Sequence, residues 1–149
     1  MENNKEKQLK VSAIKNGTVL DHIPSGQVFK VIDILGLYDS AHPVTFGVNL
    51  DSKSMGRKGI IKISERFFKD DELNKIALIA PNASVNIIRD FEVVEKKVLE
   101  IPETISGIVR CINPMCVTNH ENIQTKFKTI VKGTQIRLLC SYCEKITDI

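Results

Sequence analysis

The chain has 149 residues, which allows one medium domain or two small ones. Its hydrophobic fraction is 42%, with no Trp and only 5% aromatic residues, so aliphatic side chains must build any core. The net charge of +3 comes from 21 basic and 18 acidic residues, split 15 to 14 over residues 1–100 and 6 to 4 over residues 101–149. That even balance weighs against a strong binder of phosphate backbones, so no nucleic-acid partner is expected. No apolar run approaches the roughly 18–20 residues of a membrane span. Residues 1–10 are polar and contain no apolar stretch of signal-peptide type. A soluble, cytoplasmic protein without a membrane partner is expected.

Residues 10–14 (K-V-S-A-I) alternate and predict a strand, followed by a turn at Asn16-Gly17. Asp21-His22-Ile23-Pro24 reads as the start of a helix, with Pro24 in its first turn. Apolar residues at 28, 29, 31, 32, 34 and 35 trace a helical stripe that Gly36 stops. Residues 44–50 are β-rich, residues 51–59 form a polar turn, and residues 60–63 return as a second strand of a hairpin. Asp70-Asp71-Glu72 places acids at a helix N-terminus. Leu73, Ile76, Ala77 and Ala80 continue that helix on one face, and Pro81 ends it. Residues 84–88 and 91–98 read as strands around a tight Arg89-Asp90 connection. The order predicts an α+β fold, with a ferredoxin-like βαββαβ domain carrying an extra strand.

Residues 100–103 (E-I-P-E) mark a boundary, dividing the chain into domains at 1–100 and 101–149. The second part is β-rich, with strands at 125–131 and 135–139 around Gly133. A domain this small rarely buries enough apolar area to fold unaided, so a staple is expected. The cysteines supply one. Cys111 and Cys116 enclose four residues, Cys140 and Cys143 enclose two, and twenty-three residues separate the pairs. Two short cysteine loops can present four thiolates to one tetrahedral ion, as in a zinc ribbon or a rubredoxin-like site. Structural Zn²⁺ suits the set, iron is the rival, and disulfides or free core thiols are the alternatives. Four protein thiolates leave no open coordination position, so catalysis at the metal is not expected.

No phosphate-binding glycine motif, nucleophile elbow or nucleophile–base pair is present, and the histidines at 22, 42 and 120 are isolated in sequence. A small enzyme on this scaffold, such as an acylphosphatase, would need an Arg and an Asn on a phosphate loop, and the chain has no such loop. Lys58 and Lys62 stand at period-two spacing on one strand face. With Lys96, Asp21 and His22 they could surround a charged ligand, although on spacing alone ordinary solvated surface charge is the simpler reading.

Three motif groups shift that balance. Residues 17–24 (G-T-V-L-D-H-I-P), then Gly47-Val48-Asn49-Leu50 with Met55-Gly56-Arg57-Lys58, then residues 80–86 (A-P-N-A-S-V-N) resemble the aspartate carbamoyltransferase regulatory chain. The C-terminal cysteines, with the run Cys140-Ser141-Tyr142-Cys143-Glu144-Lys145, resemble that family's zinc domain in number and spacing. The resemblance implies a non-catalytic allosteric subunit in pyrimidine biosynthesis. Its first domain would bind CTP, UTP or ATP and pair with a second regulatory chain, while its zinc domain would contact the catalytic chain. Carried over by position, the backbone of Val11, Ala13 and Ile14 would surround the base. Asp21 and Lys62 would address ribose and base, and His22 and Lys96 the phosphates. Lys58, Asn86, Ile88, Phe91 and Val93 would lie near the pocket. One structural zinc would sit on Cys111, Cys116, Cys140 and Cys143. Coupling between the domains is expected to run through Val98, Leu99, Ile101 and Ile105.

Overall fold

A computed structural model describes residues 13–133 and 135–148, and it is a mixed α+β chain built on two sheets. The first unit runs in the order β1 (Gly17–Ile23), α1 (Val28–Ile34), β2 (Val44–Ser52), β3 (Gly56–Ser64), α2 (Asp70–Ile79), β4 (Ser84–Arg89) and β5 (Glu92–Val98). Its five strands lie in the order β2-β3-β1-β4-β5, and every neighbouring pair is antiparallel. Helix α1 connects β1 to β2, and α2 connects β3 to β4. Two βαβ crossovers therefore interlock in the ferredoxin-like manner, with β5 added at an edge.

Period-two alternation divides the sheet into an apolar face and a polar face. Leu20, Ile61 and Val85 stand side by side in register on β1, β3 and β4, and all three are fully buried. Val28, Val31 and Ile32 from α1, with Leu73, Ile76 and Ala77 from α2, close over them. Each such side chain contributes about 1.5–3 kcal/mol on burial. Gly59 permits the closest approach, because a Cβ there would stand 2.0 Å from Val28 Cγ2. Gly36 follows the last turn of α1 in the left-handed region (φ +62°), where glycine carries no Cβ penalty. Thr18 is a buried polar exception, and its hydroxyl donates to the Arg66 carbonyl at 2.6 Å.

The expected 44–63 hairpin forms, but its strands are longer than expected. Most of the polar stretch 51–59 is paired: Leu50 faces Lys58, Asp51 faces Arg57 and Ser52 faces Gly56. The expected strand at 10–14 is not found where it can be described. Residues 10–12 lie outside the described residues, and Ala13 and Ile14 are not in a strand. The first described strand is Gly17–Ile23, so Asp21 and His22 sit on a strand and not at a helix start. Two features hide this strand in the sequence: a buried position is filled by Thr18, and the alternation breaks at a bulge between Leu20 and Ile23. His22 takes a positive φ of 57° there. The helix begins later, after a 3₁₀ turn over Ser25–Gln27.

The second unit is a four-stranded antiparallel sheet of β6 (Thr104–Ser106), β7 (Lys126–Lys132), β8 (Gln135–Cys140) and β9 (Ile146–Asp148), in that order. Strands β6 and β9 have three residues each and leave almost no periodicity to read. Phe127 is fully buried between Ile105 and Cys140 in register. Ile136, Leu138 and the cysteines complete this core, together with one residue from the first unit, Leu78 of α2. The sequence reading placed the coupling on apolar residues near 98–108. Of these, Leu99 belongs to the first core, Ile105 to the second with Ile101 and Ile108 packed against it, and Val98 is 58% exposed. No helix among the described residues is long and apolar enough to cross a membrane.

Candidate functional site

The polar face of the five-stranded sheet gathers most of the residues singled out for a charged ligand. Thr45, Lys62, Val19, Asn86 and Lys96 form one continuous row across β2, β3, β1, β4 and β5. Paired residues share a face, so Lys62, Asn86 and Lys96 project to the same side. Ile88 pairs with Val93, two residues along β4 from Asn86 and, across a register shift, three along β5 from Lys96. Lys62 is only 8% exposed. Burial lowers the pKa of its ammonium below the ordinary lysine value, and the Asp21 carboxylate partly offsets that.

Asp21 reaches this face by alternation from Val19, and the bulge in β1 re-aims the adjacent His22 toward it. Asp21 Oδ1 accepts a hydrogen bond from the His22 backbone N–H at 2.6 Å and pairs with Lys58 Nζ at 2.9 Å. Burial raises the Asp21 pKa, but the Lys58 hydrogen bond and the His22 N–H outweigh it and hold the carboxyl below its usual value. His22 Nδ1 lies 3.2 Å from Ser84 Oγ and 3.9 Å from Asp21 Oδ1. Ser84 is itself buried and pairs with Asp21 across β1 and β4. The sequence reading did not include Ser84, although its place two residues before Asn86 was the available signal.

The remaining expected residues stand outside the paired positions of this row or outside the described residues. Val11 lies outside the described residues, while Ala13 is exposed and Ile14 half-buried just before β1. Phe91 occupies the two-residue turn between β4 and β5, where Asp90 and Phe91 have φ of 49° and 66°, as a type I′ turn requires. Lys15 and Asn16 hold that turn. The Phe91 N–H donates to the Lys15 carbonyl at 2.9 Å, and the Asp90 N–H donates to Asn16 Oδ1 at 3.2 Å. The Phe91 ring is 63% exposed, at the end of the sheet nearest the chain leading into β1.

The four cysteines meet at the other end of the molecule. Their sulfurs all lie within 4.8 Å of one another, with Cys111–Cys143 at 3.6 Å and Cys116–Cys140 at 3.7 Å. A tetrahedral ion with metal–sulfur bonds of about 2.3 Å would hold its sulfurs about 3.8 Å apart, so the donor set fits one ion. The backbone supports the thiolates in a regular way. Cys111, Cys116 and Cys143 each receive the N–H of the residue two positions on: Asn113, Thr118 and Lys145. Such donors stabilise the negative charge that four thiolates bring to a divalent cation.

The thiols differ in their surroundings. Burial pushes Cys111 up to about 12. Cys143 falls to about 6, because the Lys145 N–H and the Asn113 side chain overcome the effect of burial. The Thr118 hydroxyl, 3.2 Å from Cys116 Sγ, lowers that thiol. Asn119, which spacing could not reveal, ties the first loop together. Its amide donates to the carbonyls of Cys111 at 3.1 Å and Asn113 at 2.7 Å and receives Arg110 Nε at 3.0 Å.

A four-thiolate set that leaves no open coordination position, in a chain whose other sheet turns Lys62 and Lys96 to one face, defines a metal-stapled chain and not a metalloenzyme. Comparison with known proteins sharpens that class. The family model described as the aspartate carbamoyltransferase regulatory chain, allosteric domain, matches residues 9–100. The same chain's metal binding domain matches residues 103–149. Curated proteins named aspartate carbamoyltransferase regulatory chain are similar over almost the whole length. The one from Phocaeicola vulgatus is 52% identical over 145 residues, covering 97% of this chain and 92% of the relative. The one from Pyrococcus abyssi is 53% identical over 143 residues, covering 95% and 93%. The chain belongs to the aspartate carbamoyltransferase regulatory chain family, and it is a regulatory, not a catalytic, chain with an allosteric and a metal-binding part.

Proposed function

We propose that residues 1–100 bind nucleotide effectors of the CTP, UTP and ATP class, and that residues 101–149 hold one structural Zn²⁺ and dock on the catalytic chain of aspartate carbamoyltransferase. The chain would thereby control pyrimidine biosynthesis in the cytoplasm. One observation carries the reading most: a nearly buried lysine, Lys62, lies in one row with Asn86 and Lys96, beside the Asp21–Lys58 pair. A buried cation costs stability through desolvation, and such residues concentrate at functional sites. A triphosphate would add anionic partners for Lys58, Lys62 and Lys96, and Asp21 offers an acceptor for ribose hydroxyls.

Zinc suits four thiolates better than a redox metal in a part that only needs shape. Exposed Ile112 and Met115 within the first cysteine loop, with Tyr142 in the second, offer apolar contacts for the catalytic chain. Dimerisation has a candidate surface in β2. This strand ends the sheet order and exposes Phe46 and Leu50, with Phe29 packed edge to face against Phe46 at 5.4 Å.

Nucleotide binding acts on the enzyme only through different affinity for two quaternary states, with coupling of about 1–3 kcal/mol. Calorimetry of the full-length chain with CTP and ATP tests the ligand assignment. Lys62→Met is expected to weaken triphosphate binding at least tenfold without lowering the thermal midpoint, and bound nucleotide should be recovered unhydrolysed. Full affinity in Lys62→Met and in Lys96→Ala would remove the site from this face.

A further inference from the structure

A cleft of about 380 Å³ opens where the two helices meet the C-terminal segment, well away from the polar sheet face. Helical spacing builds one wall, because Lys30 and Ile34 stand one turn apart on α1, and Lys75, Leu78 and Ile79 share a face of α2. The opposite wall comes from Ile108, Val109 and Arg110 and from β9. Its interior is aliphatic, while Lys30, Lys75 and Arg110 supply cations from three separate segments. Among the described residues the one acid on its lining is Asp148, whose Oδ1 is held by Arg137 Nε at 2.7 Å. Lys30 and Lys75 have no ion-pair partner among the described residues. Arg110 spends one donor on Asn119 and keeps the rest of its five. A second hollow of about 310 Å³ shares Lys30, Leu78 and Ile79 and extends the groove toward β8.

We propose that this junction cleft binds a small amphipathic anion, an aliphatic chain or ring ending in a carboxylate, with the apolar body against Leu78 and Ile108 and the carboxylate among Lys30, Lys75 and Arg110. Volume and lining match the usual small-molecule pocket, an apolar hollow with a few convergent polar groups. Charge complementarity selects the anion, since unpaired cations rim the hollow and its one acid is engaged. The aliphatic walls select a hydrocarbon body, so this site differs in ligand chemistry from the polar face of the sheet.

Titration calorimetry of the full-length, metal-loaded chain with sodium octanoate tests this site, with octan-1-ol as the uncharged probe of equal length. Saturable binding of one octanoate per chain is expected, with octan-1-ol at least tenfold weaker. The double substitution Lys30→Gln/Lys75→Gln lies on the surface, keeps the fold, and should weaken octanoate at least tenfold at unchanged metal content. Ile34→Trp, which fills the hollow, should abolish binding. Unsaturable uptake, equal affinity for the alcohol, or octanoate binding indifferent to the double substitution would overturn the proposal. So would binding of an acidic, leucine-rich peptide by a chain that ignores octanoate, because the cleft would then serve a protein partner.

Discussion

The five-stranded sheet carries two helices on one face, and its core draws aliphatic side chains from every layer. The four-stranded sheet carries no helix among the described residues, and three of its eight buried core residues are cysteines. The first unit follows the ordinary two-layer solution, in which a sheet and its helices exclude water from each other. The second lacks that layer. Phe127 fills the centre, Leu78 arrives from α2, and the cysteine cluster closes the remainder. The contrast shows what the metal is for: a short chain that cannot bury enough apolar area can fold when metal binding supplies the free energy.

The sharpest way to break the comparison is to remove the metal. Chelation, or Cys140→Ser, should cost on the order of 10 kcal/mol and unfold residues 101–149. Amide exchange should then show protection retained in β1, β3 and β4. Equal loss of protection in both sheets would mean that the units are not separately stabilised.

Next in size is the aromatic centre of the small core. Phe127→Ala should destabilise by about 3–5 kcal/mol and weaken metal retention against a chelator. Ile61→Ala, at an equally buried place in the first sheet, should cost about 2–5 kcal/mol and leave metal retention unchanged. Leu78 joins the two cores, and Leu78→Ala should cost about 2–4 kcal/mol. Calorimetric unfolding should then split toward two transitions. A single undivided transition would show that the units are coupled elsewhere.

The smallest effect concerns the polar face. Asp21→Asn breaks the 2.9 Å pair with Lys58 and should cost about 1–2 kcal/mol at pH 7. Because folding depresses the Asp21 pKa, its contribution is present above the ordinary aspartate value of 3.8 and is lost as the pH falls through the lower folded value. The stability of the variant should therefore fall less steeply than that of the native chain below that pH. Parallel acid profiles would show that Asp21 has no such role.

Local signals in the sequence picked out the four cysteines that the structure gathers, because a ligand set written as two short loops needs only turn geometry to converge. They also located α1, α2, the 44–63 hairpin and the βαββαβ order, where apolar periodicity is long and punctuated by Gly36 and Pro81. Resemblance to a family, not spacing, selected Asn86, Ile88 and Val93. Register then explains why Asn86 and Ile88 share a face with Lys62 and Lys96, a relation between strands far apart in sequence. Strand β1 was illegible because a buried threonine and a bulge break its alternation, while β6 and β9 are too short to show any.

What the amino-acid order decided alone is what neighbours along the chain can enforce: two helices, a hairpin and two cysteine loops. What only the tertiary structure decided is everything set by pairing at a distance. The bulge turns His22 toward Asp21 and the polar face, Ser84 meets His22, Leu78 crosses from one core to the other, and a cationic cleft opens between α1, α2 and β9. Backbone torsion preferences act over a few residues. Burial and charge act between any groups that folding brings together, and one-dimensional order does not record them.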